Sequence, residues 1–84
     1  MDLKSSFDQA VADSSNLPSK PSNETLLQLY SLYKQAVEGD ITIDPPAPFD
    51  FVAKAKYEAW SALKGKTKQA AMEEYISLIG KLSN

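Results

Sequence analysis

The segment KPSNETLLQLYSLYKQAVEGD, residues 20–40, decides the fold. Ser22 is a good N-cap residue, and Glu24 falls in the first turn, where the helix dipole favours a negative charge. Leu26, Leu29, Tyr30, Tyr33 and Val37 follow at steps of three and four, the spacing that gathers apolar side chains on one helix face. Gly39 can adopt the left-handed backbone that ends a helix. A capped start, one apolar stripe and a glycine stop together predict an amphipathic helix.

The same reading extends outward in both directions. Upstream, Leu3, Phe7, Ala10 and Val11 have helical spacing and predict a helix from about Asp2 to Ser14. Leu17-Pro18 stops it, and SKPS (19–22) reads as loop. Downstream lies DITIDPPAP (40–48), where three prolines within four positions forbid a helix and stiffen the connection. A third helix is predicted from about Pro48–Asp50 to Lys64, closing at Gly65, with Val52, Ala55, Ala59, Trp60 and Leu63 as its apolar stripe. Thr67 is placed to cap a last helix whose Met72, Tyr75, Ile76, Ile79 and Leu82 share one side. Gly80 should weaken the final turn of that helix by up to ~1 kcal/mol. The β-like run ITI (41–43) is too short for a sheet. The predicted fold is an all-α four-helix bundle forming one domain over residues 1–84.

Bulk properties restrict function without choosing one. A chain of 84 residues is short, and it buries only about 60–65% of its unfolded surface on folding, so its stability margin is thin. Its 43% hydrophobic content and net charge of −2 are ordinary for a globular domain. Cysteine is absent, which rules out disulfides and thiolate zinc sites and fits a reducing compartment. The start MDLKSSFDQA has no basic stretch followed by an apolar run, so no signal peptide is expected. Nor is there an apolar run of the ~18 residues that a membrane span needs. The acidic balance argues against nucleic acid or broad attraction to anionic membrane. A soluble, cytoplasmic, single-domain protein is expected.

Catalytic chemistry has little to work with. Histidine is absent, which removes the commonest general base and the usual metal ligand. Glu73 and Glu74 are adjacent, so a helix points them in different directions. LKGKT (63–67) resembles the end of a phosphate-binding P-loop, but Trp60 stands where that motif needs its first glycine. Neither a catalytic residue nor a metal site is predicted.

Several side chains admit two readings. Tyr30, Tyr33 and Lys34 share a helix face, either as two core rings with a solvated charge or as a binding site. Lys54 has Glu58 four residues on, an exposed pair worth a few tenths of a kcal/mol. Lys56 lies in an apolar stripe, with Val52 four residues before it and Trp60 four after. It either snorkels along its methylenes or waits for an anion at the lip of an apolar groove. Tyr75 reads as a core ring with its hydroxyl near the surface, or as a ligand contact. Trp60 reads as a packing anchor or, again, as a ligand contact.

Taken together, KPSNETLLQLYSLYKQAVEGD (20–40), KAKYEAWSALKGKT (54–67) and AMEEYISLI (71–79) closely resemble the acyl-CoA-binding protein family. The YxxYKQAxxGD pattern over 30–40 is very specific, and KAKxxAWxxLKG over 54–65 is an independent match. The resemblance implies an up-down-down-up four-helix bundle that holds one fatty acyl-CoA and has no catalytic role, metal or cofactor. It implies that Tyr33 stacks near the adenine, and that Tyr30, Lys34, Lys56 and Tyr75 contact the phosphorylated ribose end. An apolar groove would hold the acyl chain.

The implied partners are long-chain acyl-CoA and, transiently, acyl-CoA-using enzymes or membrane surfaces. Nucleic acid and integral membrane association are not expected, and a monomer is. Lys34→Ala and Lys56→Ala would each weaken acyl-CoA binding by about 1.5–3 kcal/mol. The chain departs from the family pattern at Tyr57, often tryptophan, at Ser15, often lysine, and in the loop Pro45-Pro46-Ala47-Pro48. The competing reading is a helical protein-interaction module without a nucleotide ligand, anchored by Tyr30, Tyr33 and Trp60. A lipid carrier indifferent to CoA is a third.

Overall fold

Each of the four helices starts on the same device, a side-chain oxygen that accepts a hydrogen bond from the N–H three residues on. In the computed structural model, which describes residues 2–84, α1 spans Leu3–Asp13, α2 Asn23–Glu38, α3 Phe51–Ser61 and α4 Lys68–Leu82. Their caps are Asp2 to Ser5 N–H (2.7 Å), Ser22 to Thr25 (3.2 Å), Asp50 to Ala53 (3.0 Å) and Thr67 to Ala70 (3.0 Å). Ser22 and Thr67 act as the sequence predicts. A short 3₁₀ turn, Ser14–Asn16, extends α1 before the chain turns extended at Leu17. No strand forms among the described residues.

The core lies between α1, α2 and α4. It joins Phe7 and Ala10, then Leu29, Leu32 and Ala36, then Ala71, Tyr75 and Ile79. On α4 the predicted side is right: Met72, Ile76 and Leu82 pack around the buried Tyr75 and Ile79. On α2 the buried face is rotated from the predicted stripe. Leu29 is buried, but Leu26, Tyr33 and Val37 are 38%, 39% and 46% exposed, and Leu32, Gln35 and Ala36 take the interior. Buried Ser31 and Gln35 hide this from a hydrophobicity pattern, because both are polar. On α3 only Trp60 is buried, while Val52 is 68% exposed. That helix packs chiefly on α2.

Helix α3 stops at Ser61 rather than Lys64, and turns carry the chain over 62–65 to Gly65 at φ 95°. The end of α2 supplies the reason. Gly39 ends that helix at φ 81°, with its N–H on Gln35 O (3.0 Å), and places Asp40 beside the later turn. Asp40 Oδ1 accepts from Gly65 N–H (2.8 Å) and from Gln35 Nε2 (2.9 Å). Gln35 Nε2 also donates to Lys66 O (2.7 Å), and Trp60 Nε1 donates to Gly39 O (2.9 Å). These tertiary bonds hold the turn where the chain leaves α3, and they satisfy the Gln35 and Trp60 donors, while the buried Gln35 Oε1 has no partner among the described residues.

The Gly65 N–H, then the Gln35 amide, hold the Asp40 carboxyl below its ordinary range. A carboxyl depressed by folding contributes stability fully above its unfolded value of about 3.9, and this is lost as pH falls through the folded value. Urea midpoints of Asp40→Asn followed from pH 6 to pH 3 should therefore fall less steeply than those of the parent. Part of the acid limb should persist, because the Ser5 N–H lowers Asp2 in the same direction.

Gly80 is exposed within α4, and a Cβ built there meets nothing within 4 Å. Gly80→Ala should raise stability by about 0.5–1 kcal/mol, read as an increase of a few degrees in Tm.

Candidate functional site

The α2 face that the core leaves exposed forms one wall of two neighbouring clefts. The first, about 380 Å³, lies where the end of α1 and its 3₁₀ turn meet α2 and α4. Val11, Ser14, Leu17, Leu26, Tyr30, Tyr33 and Tyr75 line it. The second, about 470 Å³, lies between α2 and α3. Leu26, Leu27 and Tyr30 form one side, with Phe51, Val52, Ala55 and Lys56 opposite. Tyr30 and Leu26 line both clefts, so they form the ridge between a tyrosine-rich space and an apolar one.

Three rings brace the first cleft. Phe7, buried on α1, stacks with Tyr33 (centroids 6.0 Å apart, planes at 20°) and meets Tyr75 edge-on (5.2 Å, 67°). Tyr33 and Tyr75 are 6.5 Å apart. Tyr33 thus keeps one side against Phe7 and stays 39% exposed, while Tyr75 is 4% exposed. Phe7 was read from the sequence as a helix-face residue only. No local spacing links it to rings 26 and 68 residues away, and only the packing of α1 and α2 on α4 does.

The two lysines part company. Lys56 lines the apolar cleft with its Nζ 5.2 Å from the Tyr30 ring centroid. Stem against groove and charge at the lip is the arrangement expected of an amphipathic side chain. Lys34 lines neither cleft. It is ion-paired with Glu38, and its Nζ lies 5.0 Å from the Trp60 ring centroid. The Glu38 carboxylate raises its pKa, so it is firmly charged and already partnered. Of the predicted set, Tyr30, Tyr33 and Tyr75 surround one cleft, Lys56 joins Tyr30 in the other, and Lys34 stands apart. Lys54 and Glu58 form the expected exposed pair at 4.0 Å. Ser15 is exposed in the 3₁₀ turn.

Flat rings, an apolar wall and one free ammonium suit a ligand with a flat polar end, an anionic group and a hydrocarbon tail. Residues 4–79 match the family model described as acyl CoA binding protein. The chain belongs to the acyl-CoA-binding protein family. Acyl-CoA-binding protein homolog 1 of Caenorhabditis elegans is 46% identical over 77 residues, covering 92% of this chain and 90% of that one. The acyl-CoA-binding protein of Dictyostelium discoideum is 44% identical, covering 92% of each. A rat protein named enoyl-CoA delta isomerase 2 is 45% identical over 78 residues, but the chain spans only 20% of its length.

Solved structures agree on the fold. Acyl-CoA-binding protein 2 of Oryza sativa superposes with a TM-score of 0.92 at 38% identity, covering 96% of this chain and 90% of that one. The Moniliophthora perniciosa protein gives 0.87 at 35% identity, covering 100% and 85%. The all-α acyl-CoA-binding protein fold expected from the sequence is the fold observed. Among the described residues no helix is long and apolar enough to cross a membrane.

Proposed function

We propose that residues 1–84 act as a single acyl-CoA-binding domain, a non-catalytic cytoplasmic carrier of medium- to long-chain fatty acyl-CoA esters. It binds them one-to-one as a monomer, shields the acyl chain from water and delivers it to acyl-CoA-using enzymes, with no cofactor. The observation that carries this reading is the pair of clefts sharing the Tyr30 ridge. One molecule laid across the ridge would set its nucleotide end among Tyr30, Tyr33 and Tyr75 and its tail along Leu26, Leu27, Phe51 and Ala55. The tail contributes up to about 0.8 kcal/mol per fully buried methylene, and the rings accept a base on their faces.

Lys56 is the free cation best placed for a phosphate. Lys56→Ala should weaken acyl-CoA binding by about 1.5–3 kcal/mol with the fold intact. Lys34 must first give up Glu38, so Lys34→Ala removes a cation whose gain is offset by the pair it breaks, and its effect should be the smaller. Equal affinity in parent and both variants would refute the phosphate assignment. The reading as a whole is tested by calorimetric titration with palmitoyl-CoA, free CoA and palmitate, each below its micelle concentration. One-to-one binding of the thioester, with CoA weak and palmitate weaker, is the expected result. No binding of any acyl-CoA between eight and twenty carbons would reject it and bring forward the protein-interaction module.

A further inference from the structure

The connection between α2 and α3 is proline-rich in its middle, Asp44-Pro45-Pro46-Ala47-Pro48. Each ring fixes φ near about −65°, and each residue before a proline, here Asp44, Pro45 and Ala47, is pushed into the extended region. Residues 44–47 accordingly carry no helix, turn or bend. Sequence and backbone together describe a short run of polyproline II, which has about three residues per turn and rises ~3.1 Å per residue. That period puts Pro45 and Pro48 on one edge, roughly 9 Å apart. Both are exposed, while Pro46 between them is half-buried. Among the described residues, the only backbone hydrogen bond of 44–48 runs from Asp50 N–H to Ala47 O (3.0 Å), so the Asp44, Pro45 and Pro46 carbonyls have no backbone donor.

We infer that Pro45–Pro48 is a docking ligand for a protein module that reads polyproline II in a groove of tyrosine and tryptophan rings, of the WW type. Register is the first argument. Stiffening the connection requires fixed φ values but not two exposed rings three residues apart, the spacing that fills neighbouring slots of an aromatic groove. Preorganisation is the second. The prolines have surrendered their backbone freedom before any partner arrives, which lowers the cost of association for so small a contact. Charge is the third. No lysine or arginine occurs from Asp40 to Ala53, and Asp44 and Asp50 flank the prolines. A groove with a neutral or basic margin complements them, whereas an acidic pocket beside the groove, as in SH3 domains, repels them. Asp50 also caps α3 through Ala53 N–H (3.0 Å), so a seated module stands at the start of the helix that walls the apolar cleft. The docking itself does not depend on the carrier reading.

The full chain, labelled with nitrogen-15, is titrated with purified WW domains of neutral and basic groove margin and with an SH3 domain bearing an acidic pocket. Saturable amide shifts centred on Asp44, Ala47 and Phe49 are expected with a WW domain of basic margin. Pro45→Ala and Pro48→Ala should each weaken that binding about ten-fold, the loss when a central anchor is truncated. Pro46→Ala should cost only about three-fold, by loosening the backbone. Asp44→Lys should lose about five-fold at low salt and little at about 0.5 M. The three proline variants should keep the parent's circular dichroism and palmitoyl-CoA affinity, because none of these rings lines either cleft.

No shift with any of the WW domains, or shifts centred outside residues 43–50, overturns the docking ligand. Equal losses from all three proline variants do so as well, since they would reduce the prolines to a stiffener. Tighter binding by the SH3 domain would overturn the charge selection and the module type with it.

Discussion

Trp60→Ala should lower the unfolding free energy by about 3–5 kcal/mol, the range for removing a large buried aromatic. Trp60 is 1% exposed, the only buried residue of α3, and its Nε1 donates to the Gly39 carbonyl that closes α2. Truncation removes the ring volume and leaves that carbonyl without its donor. A small domain has only about 5–15 kcal/mol in total, so the variant should sit near the edge of folding at 37 °C. Trp60→Phe keeps most of the volume and loses the hydrogen bond, so it should cost less. Urea unfolding followed by far-ultraviolet circular dichroism gives both numbers. A loss under about 1 kcal/mol for Trp60→Ala would mean that α3 is not anchored through this ring.

The second large effect falls on binding. Tyr30→Ala should weaken palmitoyl-CoA binding by about 2–4 kcal/mol, the scale of a central hot spot. Tyr30 lines both clefts, so its loss removes contact to the nucleotide end and the tail together. Tyr33 lines the tyrosine cleft and not the acyl cleft, so Tyr33→Ala should cost less with palmitoyl-CoA, and about the same with free CoA as with the ester. Titration of both variants with both ligands separates these outcomes. A Tyr30→Ala deficit identical for CoA and palmitoyl-CoA would remove the ridge role. Tyr30 is only partly buried, so the fold should tolerate the change.

Local features were legible in the chain, and long-range ones were not. Ser22, Thr67 and Gly39 announce their roles because capping and chain reversal depend on the residue and its few neighbours. The α3 end was misjudged because Gln35 and Lys66 are 31 residues apart and no periodicity joins them. The α2 face was misjudged for a related reason: a buried glutamine and serine look polar, while exposed Tyr33 and Val37 look like core. Of the side chains that break the burial rule on α2, Leu26 and Tyr33 line the clefts. Lys34 shows a different gap. Its partner Glu38 stands four residues on, within reach of a helix-spacing argument, and the pair is local in a way that the clefts are not. The tyrosine cluster required α1 to be folded onto α4, which spacing within one helix could not foresee.

Helix α3 contributes one wall of the apolar cleft but no residue to the cluster shared by α1, α2 and α4. Within α3 the residues that would discriminate between ligands, Phe51, Val52 and Ala55, are therefore distinct from Trp60, the one that anchors the helix. Exchanges at Phe51, Val52 or Ala55 reshape the groove without leaving a void in the interior. Selectivity in such an architecture can drift from one lineage to the next while the scaffold stays put, because the two traits are written in different residues.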